Sequence, residues 1–373
     1  MKYVLFCAGE DSGDVLGEAF VSAVMAAGYV ARGTGGVRMQ SAGLEPVADY
    51  ENLPVSGFGD VLPHYFGLRR VFSTLCEMLK SPDCVGLVAI DYPGFNLRLC
   101  DLAKRVGKRV LYIAPPQVWA WKKSRARKLS GISLAVLFAF ERECYESLGC
   151  HAELLEHPFL AGQPLTRISE SAGDEILVLP GSRKSQAVRN LKVFLRVVSG
   201  MRLASGKQRP VKILASRESL VPAFENTIRK VCGSIPEAMA VEASPRDSAA
   251  RREMYANASC ALASPGTATL ELALSGCPLV VSTVPDALTY VLGSLFVKAK
   301  HFAMPNVLLG RAAVEEYIFA PWSARRRISE LSQALSRTDR RHASSIACEL
   351  EKIVDGGKSA AELLCEFLES DPH

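Results

Sequence analysis

Short apolar runs alternate along this chain with longer segments whose apolar positions recur at helical spacing. Four runs in the first half are predicted to be buried strands: 3–8, 85–90, 110–114 and 135–138. The pattern restarts in the second half, with predicted strands at 176–179, 211–215, 260–263 and 279–282. Most of these runs are followed by a turn and a helical segment. This alternation is typical of βα units around a parallel sheet with helices on both faces.

The restart of the pattern predicts two domains. A length of 373 residues is enough for two cores at roughly 150 residues each. The stretch 157–174 is polar, contains prolines and glycines and has no clear periodicity, as in an interdomain linker. We therefore expect an α/β chain with two Rossmann-like domains, at 1–160 and 161–320, followed by a C-terminal helical segment at 321–373.

Composition and charge exclude several classes of protein. Hydrophobic residues make up 49% of the chain and the formal net charge is +5, which excludes global disorder. No apolar run reaches the roughly 18–20 residues that span a bilayer, and the first run ends at Gly9 without a signal-peptide pattern. We therefore expect a cytoplasmic protein. The modest charge does not indicate nucleic-acid binding.

The cysteine, histidine and glycine patterns narrow the chemistry further. The 11 cysteines are odd in number, form no CxxC pair and lie partly in apolar stretches, so we expect reduced, buried thiols. The histidines show no HExxH or paired spacing, so no metal is expected. GxGxxG after the first strand and GxSxG are both absent. Their absence disfavours nicotinamide or flavin enzymes and acyl hydrolases.

Two acidic loops follow predicted strands in the first half. The loop 9–14 has glycines that let a ligand approach, but its carboxylates would repel a phosphate, so a sugar acceptor or a general base suits it better. Asp91 ends the strand 85–90, where an apolar setting can raise the pKa of a carboxylate toward values useful for a base. The alternatives are a turn capped by Ser12 or Asp14, and an Asp91 that caps the next helix or fixes its own turn.

The second half contains two candidate phosphate loops. At 180–183, backbone amides, a serine hydroxyl and an arginine guanidinium converge at the start of a helix, as a diphosphate requires. The loop 264–271 repeats the order of strand, glycine and helix. Its Thr267 and Thr269 could donate to phosphate, and its Glu271 could accept from ribose hydroxyls. Helix capping by Thr267 is the alternative.

Two further segments are unusual in composition. Residues 118–128 join two tryptophans to five cations, which suits anionic headgroups or nucleic-acid stacking and phosphate contacts. A solvated basic helix face with the tryptophans packed inward is the alternative. The apolar segment 287–297 fits an ordinary buried helix.

Taken in order, eight short motifs resemble those of lipid-A-disaccharide synthases, which are inverting glycosyltransferases of GT-B architecture. The matching stretches are 8–14, 36–40, 90–96, 116–121, 157–158, 179–183, 266–271 and 304–311. Each motif is weak alone, but their order over most of the chain is highly specific. The resemblance implies two Rossmann-like domains facing a central cleft, with the acceptor in the first and the UDP-sugar in the second.

The resemblance also implies a reaction and its residues. UDP-2,3-diacylglucosamine and 2,3-diacylglucosamine 1-phosphate would give the β-1,6-linked lipid A disaccharide 1-phosphate and UDP, without a metal or an organic cofactor. The implied catalytic residues are Asp91 as the base, Glu10 as the reserve base, and Ser12. The implied substrate-binding residues are Gly181, Ser182, Arg183, Gly266, Thr267, Glu271 and Asn306. The implied contacts to acyl chains or membrane are Trp119, Trp121, Lys122 and Lys123. Because the implied substrates carry acyl chains, the segment 287–297 either offers them a further surface or forms an ordinary buried helix.

The resemblance further suggests a homodimer that associates peripherally with the cytoplasmic face of the inner membrane and binds no nucleic acid. Several positions depart from the family pattern: Gln186 replaces a glutamate, Glu156 a glycine, Pro265 a serine, His301 a tyrosine and Phe319 a glutamine. Because most of these lie on the donor side, we hypothesise that donor binding is altered. Two alternatives stay open, namely a GT-B enzyme acting on another glycolipid and a nucleotide- or glycolipid-binding descendant without turnover.

Overall fold

The chain folds into two compact units. The computed structural model describes residues 1–48, 58–116, 118, 126–160, 173–296 and 300–370. Trp119, Trp121, Lys122 and Lys123 lie outside these described residues. Unit 1 comprises Met1–Ala161 with Val354–His373, and unit 2 comprises Gly162–Ile353.

Unit 1 is built on a parallel sheet. Its strands are β1 (Tyr3–Ala8), β2 (Val30–Thr34), β3 (Glu45–Pro46), β4 (Cys84–Ile90), β5 (Arg109–Ile113), β6 (Ser133–Val136) and β7 (Ala152–Leu154). Its first six helices are α1 (Asp11–Ala26), α2 (Val37–Ser41), α3 (Phe58–Lys80), α4 (Pro93–Arg105), α5 (Ala126–Leu129) and α6 (Ala139–Ser147). Within the described residues the strand order is β3-β2-β1-β4-β5-β6-β7, and every pair is parallel.

Unit 2 repeats this design. Its strands are β8 (Ile176–Leu179), β9 (Val211–Ala215), β10 (Met239–Ala243), β11 (Cys260–Ala263), β12 (Leu279–Thr283) and β13 (Glu315–Ile318). Its helices are α7 (Lys184–Val198), α8 (Val221–Cys232), α9 (Ser248–Asn257), α10 (Thr267–Leu274), α11 (Ala287–Phe296), α12 (Met304–Leu309), α13 (Ile328–Ser336) and α14 (Arg340–Val354), with short 3-10 helices at Glu218–Leu220 and Ala324–Arg327. The sheet order, for the part of unit 2 that is described, is β10-β9-β8-β11-β12-β13, again all parallel.

The first strand of unit 1 is apolar throughout because both faces of the sheet are covered there. All six residues of β1 are buried. Tyr3, Leu5 and Cys7 enter one core cluster, together with apolar residues of α3 and α4, whereas Val4 and Phe6 enter the other, with residues of α1. Alternate side chains of a strand point to opposite faces of the sheet, so a strand covered on both sides reads as a continuous apolar run.

The last helix, α15 (Ala360–Glu369), returns to unit 1. Its Leu363, Leu364 and Phe367 are buried in the core cluster that α1 covers. Gly86 of β4 makes room for this helix, since a Cβ atom at that position would lie 2.6 Å from Phe367 Cζ. A capping box of Ser359 and Glu362 starts the helix. The segment 321–373, which we expected to form one C-terminal helical part, therefore contributes to both units.

The eight predicted strands are all present, with ends displaced by at most two residues. The observed α/β architecture thus agrees with the predicted class. The cysteines are free thiols, as expected, but only six of the 11 are buried, and Cys348 and Cys365 are exposed. Among the helices of the described residues, none is both long and apolar enough to cross a bilayer.

Candidate active site

The predicted loops meet in pairs where the strand order of each sheet reverses. In unit 1, β1 and β4 are neighbours with Ala8 opposite Ile90, so the loop after Ala8 lies beside Asp91. In unit 2, β8 and β11 are neighbours with Leu179 opposite Ala263. Open α/β sheets bind ligands outside the carboxyl ends of their strands at such switch points. Each unit therefore has one candidate site.

Asp91 lies in a strained turn between β4 and α4. Its φ is 46° and that of Tyr92 is 49°, in the left-handed region that non-glycine residues avoid. The fully buried Asn96 holds this turn, because its Nδ2 donates to three carbonyl oxygens at the ends of β1 and β4, at 2.8–3.1 Å. The Tyr112 hydroxyl donates to the Asp91 carbonyl oxygen at 2.9 Å. The half-buried Asp91 is thus carried by a backbone that two side chains fix, and the N-cap of α4 is Tyr92 rather than Asp91.

The ring of Tyr92 joins the two loops of unit 1. A Cβ atom on Gly9 would lie 2.6 Å from Tyr92 Cδ1, so glycine leaves the room that the ring occupies. Burial raises the pKa of Tyr92 to about 12, and the neighbouring Cys7 and Glu10 groups add to the shift. The phenol therefore stays protonated at neutral pH, close to the Glu10 carboxylate.

The loop 9–14 contributes Glu10 and Ser12, which are half-buried at the start of α1. Glu10 occupies the N-cap position of α1 without a side-chain cap. The buried Asp14 instead accepts hydrogen bonds from the backbone N–H groups of Arg38 and Met39, at 3.0 Å each. Burial raises the pKa of Asp14, and these two bonds offset part of that shift. Asp14 therefore caps α2 rather than the turn in which it lies.

In unit 2 the loop at Gly181 lies against the end of β11. Gly181 has a φ of 119°, which favours glycine, and a Cβ atom there would lie 3.2 Å from Ser264 Oγ. Ser182 and Arg183 are half-buried before α7, and Arg183 holds its N-cap position. A helix of 15 residues presents unpaired amides and partial positive charge at its N-terminus. These groups together can hold a diphosphate.

Behind this loop, the fully buried Asn190 ties α7 to two strand ends. Its Nδ2 donates to the Pro180 carbonyl oxygen at 2.9 Å, and its Oδ1 accepts from the Val284 N–H at 2.7 Å. Gln186 Nε2 donates to Thr283 Oγ1 at 3.0 Å, and that hydroxyl donates to Asn190 Oδ1 at 3.4 Å. An ionised glutamate at position 186 could not donate. Gln186, where the family has glutamate, therefore determines that the side chain donates to the Thr283 hydroxyl beneath the loop at Gly181.

The second loop of unit 2 begins α10, with Gly266 at the N-cap and Thr267 exposed at the first position. The hydroxyl of the buried Thr269 donates to the Gly266 carbonyl oxygen at 2.7 Å, so it serves the helix start. Glu271 lies one turn further and pairs with the buried Arg251, with Oε2 at 3.1 Å from Nε and Oε1 at 3.5 Å from Nη2. Both carboxylate oxygens of Glu271 are thus held by a guanidinium.

Asn306 is fully buried and bonded to the backbone before β13. Its Oδ1 accepts from the N–H groups of Ala313 and Val314 at 2.8 Å each, and its Nδ2 donates to the Val314 carbonyl oxygen at 2.8 Å. The resemblance implied a direct nucleotide contact for Asn306. The described hydrogen bonds of its side chain all go to the backbone of this loop.

Three other departures from the family pattern have defined surroundings. His301 Nδ1 lies 2.6 Å from Glu316 Oε1, just before α12. Phe319 packs in the apolar core of unit 2, where the glutamine of the family pattern would place a polar amide among apolar side chains. The backbone N–H of Glu156 donates to the carbonyl oxygen of Lys358 at 2.9 Å, which helps to hold the chain that leads into α15.

Sequence reasoning missed the residues that hold the loops, namely Asn96, Asn190 and Arg251. Asn190 had a signal, because it falls with Ala187 and Leu191 on the apolar side of α7, where a lone amide needs partners. Asn96 lies inside a motif that the resemblance used, but it received no role of its own. For Arg251 the local sequence gives no signal, since its partner Glu271 belongs to another helix.

Comparison with known proteins identifies relatives of this chain. The family model for lipid-A-disaccharide synthetase matches residues 4–362 of this chain. The lipid-A-disaccharide synthase of Syntrophus aciditrophicus (strain SB) is 32% identical over 371 residues, which covers 92% of this chain and 90% of that protein. The protein of the same name from Trichlorobacter lovleyi is 32% identical over 333 residues, covering 85% and 84% of the two chains.

Solved structures share the fold at much lower identity. Arabidopsis thaliana UGT89C1 has a TM-score of 0.58 at 12% identity, covering 98% of both chains. The spinosyn rhamnosyltransferase SpnG has a TM-score of 0.54 at 11% identity, covering 98% of this chain and 99% of that chain. At such identity the likeness shows the fold alone. The two Rossmann-like units share the GT-B fold of these structures, which confirms the predicted fold class.

Proposed function

This chain belongs to the lipid-A-disaccharide synthase family, and we propose that it transfers a 2,3-diacylglucosaminyl group from UDP to 2,3-diacylglucosamine 1-phosphate. The products are the β-1,6-linked disaccharide 1-phosphate of lipid A biosynthesis and UDP. The observation that carries the proposal is the family match over most of the chain, and the polar loops at the two switch points agree with it.

On the acceptor side, we propose Asp91 of unit 1 as the general base. An inverting transfer needs a group that takes the proton of the 6-hydroxyl while that oxygen attacks the anomeric carbon in line. A half-buried carboxylate on a fixed turn suits this role, because correct positioning lowers the barrier directly. Glu10 is the reserve base, and Ser12 supplies a hydroxyl in the same loop.

On the donor side, we propose that unit 2 binds UDP. The N-terminus of α7 with Gly181, Ser182 and Arg183 would hold the diphosphate and stabilise the charge that develops as UDP leaves. The start of α10, with Gly266 and Thr267, would add amides and a hydroxyl. Glu271, held by Arg251, would accept from ribose hydroxyls, and Asn306 would position the backbone at 313–314.

The decisive experiment incubates the purified chain with both lipids, measures UDP release and identifies the lipid product by mass spectrometry. A diacylated disaccharide 1-phosphate supports the proposal. A different lipid product would indicate another glycolipid substrate. UDP binding without any turnover would favour a binding protein that has lost catalysis.

The role of Asp91 is tested by Asp91→Asn, which keeps the shape of the side chain and removes its basicity. We expect kcat to fall by about 10²–10⁴-fold, the usual contribution of a general base, while the melting temperature and the donor KM are retained. Glu10→Gln is the matched control, and its effect should be smaller. Unchanged turnover in Asp91→Asn would remove Asp91 from this role.

We also propose peripheral association with the cytoplasmic face of the inner membrane, because both proposed substrates carry acyl chains. The candidate contacts Trp119, Trp121, Lys122 and Lys123 lie outside the described residues. A homodimer is proposed from the family resemblance. Sedimentation equilibrium of the purified chain tests the dimer, since a mass of one chain at micromolar concentration would contradict it.

A further inference from the structure

Unit 2 carries an exposed apolar surface on α11, formed by Leu288, Tyr290 and Val291 together with Trp322, and called the α11 surface below. Leu288 is 50% exposed, Val291 44% and Trp322 65%. The Tyr290 and Trp322 rings meet edge to face with their centroids 5.4 Å apart, so helix and turn form one surface. The sequence left open whether this segment forms a buried helix. Its described side chains show that it does not.

Exposed apolar side chains concentrate in this region. Eight large apolar residues are exposed among those that the structure describes, and four of them lie between residues 288 and 322. Single exposed apolar residues are normal on soluble proteins, but a cluster with an aromatic pair marks an interaction surface. Because α11 begins four residues after β12 ends, the cluster starts at the carboxyl edge of the sheet, the edge that carries the loop at Gly181.

The charges beside the α11 surface are positive. Arg325 and Arg326 are exposed on the 3-10 helix that follows Trp322, and within the described residues neither forms an ion pair. The acidic groups nearby are neutralised. Asp286, before α11, lies 3.9 Å from Arg189 Nη2 and accepts from Thr289, and Glu330 pairs with Arg327.

We propose that the α11 surface docks on the anionic phospholipid headgroups of a bilayer, with Trp322 and Leu288 entering the interface. Tryptophan and tyrosine favour the level of the headgroups, and exposed arginines are attracted by anionic lipid. A helix of 10 residues is about 15 Å long, which suits a position in the plane of the interface and not across the bilayer. The proposal deepens the proposed function, because docking here brings the donor-binding edge of unit 2 to lipid substrates.

Vesicle flotation with the full chain tests this surface. We compare vesicles of phosphatidylethanolamine with phosphatidylglycerol against vesicles of phosphatidylcholine alone. Because each arginine near an anionic surface adds about a fivefold factor in binding, R325Q/R326Q should weaken binding to the anionic vesicles by about 25-fold. L288S/V291S and W322S should each weaken it by roughly tenfold through lost apolar burial. The matched controls are V37S, at an exposed apolar residue of unit 1, and K207Q/K230Q, at exposed lysines of unit 2.

Activity and mass measurements distinguish a lipid-docking surface from a dimer interface and from a part of the donor site. The α11 variants should keep wild-type activity on detergent-dispersed lipids and lose it on vesicle-embedded lipids. Variants that bind anionic vesicles like the wild type would overturn the proposal. The proposal would also fail if the α11 variants lost a dimer but kept vesicle binding, because the surface would then be a dimer interface. A donor KM that rises in detergent as much as on vesicles would instead place the surface in the donor site. If the wild type makes no disaccharide but the variants lose vesicle binding, the proposed function fails and the docking surface stands.

Discussion

The side chain of Asn96 holds the turn that carries Asp91, and Asn96→Ala tests this directly. Its two Nδ2 hydrogens serve three carbonyl oxygens at 2.8–3.1 Å. At about 1 kcal/mol per hydrogen bond, their loss costs about 2 kcal/mol, and the cavity left at a fully buried site raises the total to about 3 kcal/mol. The left-handed φ values of Asp91 and Tyr92 store about 1–3 kcal/mol each. The two amounts are similar, so the turn should relax when Asn96 is removed.

Two measurements on Asn96→Ala follow from this magnitude. At about 2–4 °C per kcal/mol for a unit of this size, the melting temperature of unit 1 should fall by about 6–12 °C. Since a displacement of about 1 Å can cost 10²-fold in rate, kcat should fall by up to about that factor, with the donor KM unchanged. Asn190→Ala removes the corresponding buried amide of unit 2 and serves as the matched control. It should cost similar stability but weaken UDP binding instead. Wild-type kcat in Asn96→Ala at a lowered melting temperature would refute the idea that Asn96 positions Asp91.

Three further predictions concern neighbouring contacts. Gly9→Ala should lower the free energy of unfolding of unit 1 by about 1–3 kcal/mol in urea, because its Cβ atom clashes with the Tyr92 ring. Adding Tyr92→Ala should recover part of that loss, whereas strictly additive effects of the two substitutions would argue against the clash. Burial lowers the pKa of His157 to about 4 in the folded state, whereas its pKa in the unfolded state is near 6.5. Between pH 6.5 and pH 4 the unfolded state therefore binds more protons, so the free energy of unfolding should fall by about 3 kcal/mol from pH 7 to pH 4. His157→Gln should lose this dependence in pH-dependent denaturation. Q186E removes the hydrogen bond that Gln186 donates to the Thr283 hydroxyl, so the UDP dissociation constant in calorimetric titration should change. An unchanged constant would contradict altered donor binding. So would a wild-type affinity for UDP equal to that of an ordinary family member.

The strands that the sequence predicted lie inside the two sheets, and the strands that it missed lie mostly at their edges. The edge strands β3, β7, β10 and β13 were not predicted. β13, for example, begins with two glutamates and is only partly buried, because an edge strand has water on one side. The interior strand β2 was also missed, since Arg32 and Gly33 interrupt its apolar pattern. The hydrophobic pattern therefore reveals strands that are fully buried and misses those that are partly exposed.

The loops of the candidate site were predictable because each follows a buried strand and contains glycine beside polar residues. The groups that hold those loops were not. Asn96 bonds to the carbonyl oxygen of Cys7, 89 residues away in the chain, and Gln186 bonds to Thr283, 97 residues away. Such partners are brought together only by packing of the sheet and its helices. The contacts that hold Glu271 and Asn306, to Arg251 and to the backbone at 313–314, likewise depend on packing and have no local signal in the sequence.

Hydrophobic period and motif order are local properties of the chain, so they reveal the two arrays of βα units, the family resemblance and the loops that carry polar groups. The tertiary structure decided which loops meet, since the reversal of strand order places β1 beside β4 and β8 beside β11. It also decided that α15 returns to unit 1 and that α11 exposes an apolar face. These features depend on contacts between residues far apart in sequence, whose free energy is fixed only when the sheets and helices have packed.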